Sequence, residues 1–209
     1  FVCSFLSLVR WMPYFLCRGV ARVAGAALFW FVPRRRRILM TNLGIAFPEC
    51  SKAERSRMAR ESCESFFLTG LESVKHLYRL RFGTVEDEVR RMVEGVDILL
   101  ARARRIHDES GGCVFVVPHL GNWEIITHGA AAAGIPVTVV VRPLDNLKLE
   151  RYLFAMRAKS GQEILAKRSA LFHLRTALRK GRSVGLLADQ HAGLKGIDVP
   201  FFGKPASTT

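Results

Sequence analysis

The chain is poor in acid. Against 32 lysines and arginines it sets 18 aspartates and glutamates, a formal net charge of +14 over 209 residues. That imbalance predicts an acidic partner: anionic lipid, a phosphorylated substrate, an acidic protein or nucleic acid. Several signatures are missing. No C-x-x-C pair occurs among the five cysteines (Cys3, Cys17, Cys50, Cys63, Cys113), which argues against a zinc ribbon or a thioredoxin-type site. Cys113 falls in an expected strand and reads as a small buried residue. No G-x-S-x-G is present, so no serine nucleophile is suggested. No G-x-G-x-x-G opens a helix, and Gly203-Lys204 is followed by proline rather than Ser or Thr, so nucleotide-loop folds have no support. No cofactor is indicated. There is no internal repeat and no low-complexity linker.

An uninterrupted apolar run of 18 residues is also lacking. Residues 1–32 are rich in Phe, Leu, Val, Trp and Ala, but Arg10, Arg18, Arg22 and Pro13 break them into pieces around 1–17 and 19–32. The expectation is a membrane-anchoring helical segment over 1–33, embedded or interfacial rather than a signal peptide. The block "PRRRR" at 33–37 fits the cytoplasmic flank of such an anchor. It equally fits a solvated helix start with Pro33 at the first position. The chain starts at Phe1 and stops at Thr209 within what reads as an element, so the expectation is a C-terminally incomplete domain over 34–209.

What is present is a regular alternation. Residues 42–48 read as a short helix ending in a turn. Ser51 with Glu54 forms a capping box ahead of an amphipathic helix carrying Met58, Cys63, Phe66, Phe67, Leu71 and Val74. From residue 93 onward a short strand, then a helix closed by Gly111 and Gly112, is followed by short apolar strands alternating with helices. The strands are "CVFVVPH", "IPVTVVVRP", "QEILAK" and "SVGLLADQ", with "GIDVPFFG" as a further strand or extended loop. This is the pattern of an α/β fold: a mostly parallel central sheet covered by helices on both faces.

In such sheets chemistry gathers beyond the carboxyl ends of the strands. There the chain places His119, five residues before Glu124 at the start of a helix capped by Asn122 or Gly121. Glu124 folded back on His119 would fix its tautomer and make it a general base for a hydroxyl. A structural histidine at a strand end explains the spacing as well. A metal site of His119, Glu124 and His128 fits less well, because H-x4-E-x3-H is not the spacing of helical zinc sites. Later strand ends deliver Arg142 and Asp145, then Asp189, Gln190 and His191. Arg157, Lys159, Lys167 and Arg168 lie between them. Arginines at that edge suit phosphate or carbonyl-oxygen recognition.

The blocks "RRRRILMTNLGIAFPECSKAER", "HLGNWE", "VVVRPLDNLKLE", "MRAKSG", "LLADQ" and "VPFFGKPAST", in this order, resemble the bacterial lipid A biosynthesis acyltransferases. These belong to the wider H-x4-D/E glycerolipid acyltransferases. The resemblance implies transfer of a fatty acyl chain, usually from acyl carrier protein, to a hydroxyl of a phosphorylated lipid A precursor. It implies a site on the cytoplasmic side of the bacterial inner membrane. It maps the paired histidine and acid onto His119 and Glu124, a further arginine onto Arg157, and an aspartate onto Asp189. Asn122, Arg142, Asp145 and Gln190 fall in matching blocks as substrate-binding candidates. A related branch acylates phosphatidylinositol mannosides from acyl-CoA with the same pair. Acidic carrier protein, phosphorylated acceptor and anionic membrane would all suit one basic surface. A module that only binds nucleic acid or membrane is the remote alternative, without a recognised motif.

Overall fold

Capping and periodicity set the helices where they fall. In the computed structural model, residues 8–9, 11–79, 84, 87, 89–90, 94–141, 150–151, 154–155, 157–158, 161–166 and 170–208 are described. The chain divides into two compact units, one of residues 1–75 with 191–208, the other of residues 76–190.

The first unit opens with α1 (Tyr14–Phe31), which starts directly after Pro13. The expected interruption at Arg18 is absent: the helix runs through it, because a lone arginine does not cost helical backbone bonds as proline does. Next is α2 (Pro33–Ala46), with Pro33 in its first turn. The arginine block is therefore the start of a helix, and residues 42–46, expected to form a separate short helix, are its last turn. Then α3 (Lys52–Arg79) begins at the predicted capping box. The Ser51 amide donates to Glu54 Oε2 at 2.8 Å, and the Glu54 amide to Ser51 Oγ at 3.2 Å.

A seam of residues four apart, Cys17, Ala21, Gly25 and Phe29, is the buried face of α1. Cys17 and Ala21 cluster with Leu71 of α3, and Phe29 with Ala59 and Cys63. Gly25 has a specific reason to be glycine. A Cβ there would stand 2.6 Å from the Glu64 backbone nitrogen. The antiparallel pair β5 (Ile197–Phe201) and β6 (Lys204–Thr208) completes this unit. Phe202 and Gly203 turn the hairpin with φ of 48° and 69°, the left-handed pair that a tight two-residue turn demands. The Phe202 ring rests 5.3 Å from Phe47.

The second unit contains the sheet. After α4 (Val96–Ser110), whose C-cap Gly111 has φ 64°, come β1 (Val114–Val116), α5 (Trp123–Ala132), β2 (Val137–Val141), β3 (Glu163–Ala166), α6 (Ala170–Arg179) and β4 (Ser183–Leu186). Among the described residues no strand precedes α4: residues 94–95 form a turn and Val96 already starts the helix, while Val93, where the strand was expected to begin, lies outside the described residues. The sheet is wholly parallel, in the order β1-β4-β2-β3. Ile135, Val137 and Val139 are buried against Ala103 of α4 and Ala130 of α5, with Phe115 and Ile164 beside them. This is the period-two face of a covered strand.

Two readings change here. β1 is an end strand rather than a fully buried one, and Val116 is 70% exposed. Cys113 precedes that strand and is only half buried, its Sγ 3.5 Å from Ser183 Oγ.

Gly25→Val forces Glu64 and the α3 backbone away from α1. We expect a loss of about 1–3 kcal/mol in urea unfolding, and a wild-type-like midpoint would show that the seam is not closely packed.

Candidate active site

Strand order brings the site together. β1 and β4 are neighbours, with Val116 in register with Leu186, and the Val117 amide donates to the Leu186 carbonyl at 2.9 Å. Three residues past each strand end stand His119 and Asp189. The His119 ring Nδ1 is 2.6 Å from Asp189 Oδ1, and the His119 amide donates to Asp189 Oδ2 at 2.7 Å. One carboxylate thus grips both ring and backbone. With the Nδ1 proton committed to Asp189, Nε2 carries the lone pair. Gln190 Nε2 lies 3.2 Å from it, placed to donate an amide hydrogen. The Trp123 ring meets the imidazole edge-on at 4.9 Å.

The expected partner of His119 was Glu124; the structure gives that place to Asp189. Glu124, in the first turn of α5, engages Arg157 instead. Arg157 Nε donates to Glu124 Oε1 at 2.6 Å and its Nη2 to Oε2 at 2.9 Å, a two-pronged pair largely buried on both sides. The physical reason is geometric match: the planar fork of an arginine satisfies both carboxylate oxygens at once. One turn further, His128 Nε2 is 3.7 Å from Glu124 Oε1. Behind it the His76 ring stands 5.1 Å from that of His128, and both rings are fully buried.

Burial pushes Glu124 towards its neutral form, but His128 and the Arg157 guanidinium outweigh that and bring its carboxyl down to about 2. Asp189 is pushed up by partial burial and lowered more by the ring and amide of His119. His76 falls to about 4, first through burial, then through His128. Two anionic carboxylates and a neutral buried imidazole therefore define the ground state.

Of the sequence candidates, His119, Asp189 and Gln190 meet at one sheet edge. Glu124 and Arg157 form a second pair at the other end of the 119–124 turn. Asn122 is the N-cap residue of α5, without a side-chain capping bond. Arg142 and Asp145 lie outside the described residues, as do Lys159, Lys167 and Arg168. His191 falls in the first unit, bridged to Thr208. The metal grouping of His119, Glu124 and His128 is divided between these two pairs. Among the described residues no cluster of His, Cys, Asp or Glu is arranged to hold a metal ion. His128 was legible as a partner of Glu124, four residues on along one helix face. Nothing in the sequence marked His76.

A histidine oriented by a carboxylate at the carboxyl edge of a parallel sheet is an arrangement chemically able to accept and return a proton, on an α/β fold. The family model for bacterial lipid A biosynthesis acyltransferases matches residues 1–209, and the chain belongs to that family. It is 29% identical over 197 residues, 91% of its length, to the lipid A biosynthesis palmitoleoyltransferase of Escherichia coli (strain K12) and to the lipid A biosynthesis acyltransferase of Shigella flexneri. It is 26% identical over 208 residues, 98% of its length, to the lipid A biosynthesis lauroyltransferase of Escherichia coli (strain K12). The chain spans 60% of the first two relatives and 64% of the third.

Acid should unfold the second unit in two stages. His76, its imidazole neutral when folded, withdraws stability as pH falls from its ordinary 6.5 to about 4. Glu124 does so from 4.5 to about 2. Each stage is worth up to about 3 kcal/mol. His76→Phe is expected to flatten the first stage alone in a pH series of urea melts; an unchanged profile would refute the assignment.

Proposed function

We propose that the full-length protein is an O-acyltransferase that moves a fatty acyl chain from an acyl thioester to a hydroxyl of a lipid A precursor. Family membership supports the acyl chemistry and the acceptor class. The single observation that carries the mechanism is the His119–Asp189 pair, which leaves Nε2 as the basic atom at the sheet edge.

The acceptor hydroxyl takes the position that the Gln190 amide occupies and gives its proton to His119 Nε2 as its oxygen attacks the thioester carbonyl. Asp189 stabilises the imidazolium that forms. The tetrahedral intermediate collapses, the carbon–sulfur bond breaks, and the departing thiolate takes the proton back from His119. No acyl-enzyme is needed, in keeping with the lack of a serine nucleophile motif. Glu124 holds the Arg157 guanidinium in one orientation, and Arg157 brings positive charge for a phosphate or for the developing oxyanion. Asn122, Arg142, Asp145 and Gln190 are the substrate-binding candidates in this reading.

The donor in this reading is acyl carrier protein, an acidic partner for a chain of net charge +14; acyl-CoA is the alternative, as is a glycolipid acceptor other than lipid A. The site works on the cytoplasmic side of the inner membrane. Supplying either acyl donor to the purified full-length protein separates the donor alternatives.

Mass spectrometry of lipid A from cells lacking the full-length protein should show one acyl group missing, restored on complementation. His119→Ala and Asp189→Asn should each lower transfer by about 10²–10⁴ with unchanged folding. Retention of normal transfer by His119→Ala would remove it as the base. Arg157→Lys keeps the charge and loses the fork, and should cost at least about tenfold in kcat/KM.

A further inference from the structure

By length and composition α1 is able to cross a membrane. At roughly 1.5 Å per residue, its 18 residues come close to the thickness of a hydrocarbon core. Its packing decides otherwise. We propose that α1 lies in the plane of an anionic bilayer surface, sunk along one apolar stripe, and does not span the bilayer. The proposal takes membrane association from the family reading and adds its geometry.

The first observation is the company α1 keeps. Its seam is pressed on α3 along most of its length, from Phe29 beside Ala59 and Cys63 to Cys17 and Ala21 beside Leu71. At Gly25 the contact is backbone to backbone. Polar contacts run along the same line: Arg22 Nε lies 3.7 Å from Glu64 Oε2, and the Tyr14 hydroxyl donates to Glu72 Oε1 at 2.7 Å. The stretch of α3 held against α1 therefore carries Arg60, Glu61, Glu64 and Glu72, and Arg60 and Glu61 are exposed. A spanning α1 would draw these four side chains into hydrocarbon, where each is costly. Arg18 and Arg22 of α1 itself would go with them.

The second observation is the opposite side of α1. Leu16, Val20, Val23, Ala27 and Trp30 follow one another at intervals of four and three, a continuous helical stripe without charge. Val23, at its middle, is 71% exposed, and Phe15 and Phe31 stand out beside it. A contiguous exposed apolar stripe marks an interaction surface. A rim of positive charge names its partner. Arg34, Arg35 and Arg37 are exposed on α2, directly after the stripe ends at Trp30. Arg36 is stacked 4.9 Å from the Trp30 ring. An apolar stripe with guanidinium groups at its border matches an acyl–headgroup boundary in which phosphates lie beside the first methylenes.

The test is a depth series on the 209-residue chain bound to phosphatidylethanolamine–phosphatidylglycerol vesicles. Three single-tryptophan variants are compared: native Trp30 alone, with Trp11→Phe and Trp123→Phe, and the same set with Trp30→Phe plus either Leu16→Trp or Val23→Trp. All these changes within α1 are at exposed positions, and the Trp30 variant adds no new side chain to the stripe. Lipids carrying a nitroxide near the headgroup or at the chain end serve as quenchers. The expected result is equal quenching at all three positions, stronger from the shallow label. A gradient with Val23 deepest, quenched most by the chain-end label, would overturn the proposal in favour of a span. No quenching at any position would overturn it by removing the bilayer as partner. No acyl donor or acceptor is present, so the outcome is independent of whether the acyl-transfer reading holds.

Discussion

The lateral pairing of β1 with β4 is the constraint on which the site depends. It sets two loops side by side whose candidate site residues, His119 and Asp189, are 70 positions apart in sequence. Parallel strands cannot be joined by tight turns, so the chain must travel through α5, β2, β3 and α6 before β4 can slot in beside β1. The reward is geometric: both strands end at the same edge, and the Asp189 carboxylate meets the ring and the amide of His119 together. A carboxylate held by two donors has little freedom to rotate, and neither does the imidazole it holds. In the proposed mechanism the tautomer is fixed before any substrate arrives, so none of the reaction barrier is spent on fixing it.

The second pair, Glu124 with Arg157, obeys different physics. It is largely buried, and an ion pair in that position survives only because each group satisfies the other. Behind it stand two fully buried imidazoles, of which His76 is kept neutral by the same burial. The core of this unit is thus polar on one side of the site, a column running from Arg157 through Glu124 and His128 to His76. An apolar core would be cheaper to fold. A polar column fixes the direction of the arginine fork, which an apolar core would leave to chance.

Much of this was legible from the residues. Short apolar runs and helical spacing marked β1 to β4 and most of the helices, the β5 segment stayed open between strand and extended loop, Ser51 and Glu54 announced a helix start, and polar residues after apolar strands marked the edge where His119, Asp189 and Gln190 meet. What could not be read was strand order. Local pattern tells that "CVFVV" and "SVGLL" are strands, and says nothing about their being neighbours. Without it, the nearest acid in sequence, Glu124, looked like the partner of His119, and the nearest acid in space, Asp189, looked like a helper. The same gap hid that β1 is an end strand, because an apolar triplet reads alike at the edge and the middle of a sheet. The arginine block posed a different problem: a basic helix start and a membrane flank are the same residues, and α2 is free to be both.

β1 has only three residues and, among the described residues, a neighbour on one side alone. Few backbone bonds have to break for it to part from β4, and strands so tethered belong to the least protected part of a fold. His119 thus follows a short end strand, while Asp189 follows a strand held on both flanks. In the proposed mechanism, orientation of the imidazole therefore depends on the pairing of β1 with β4.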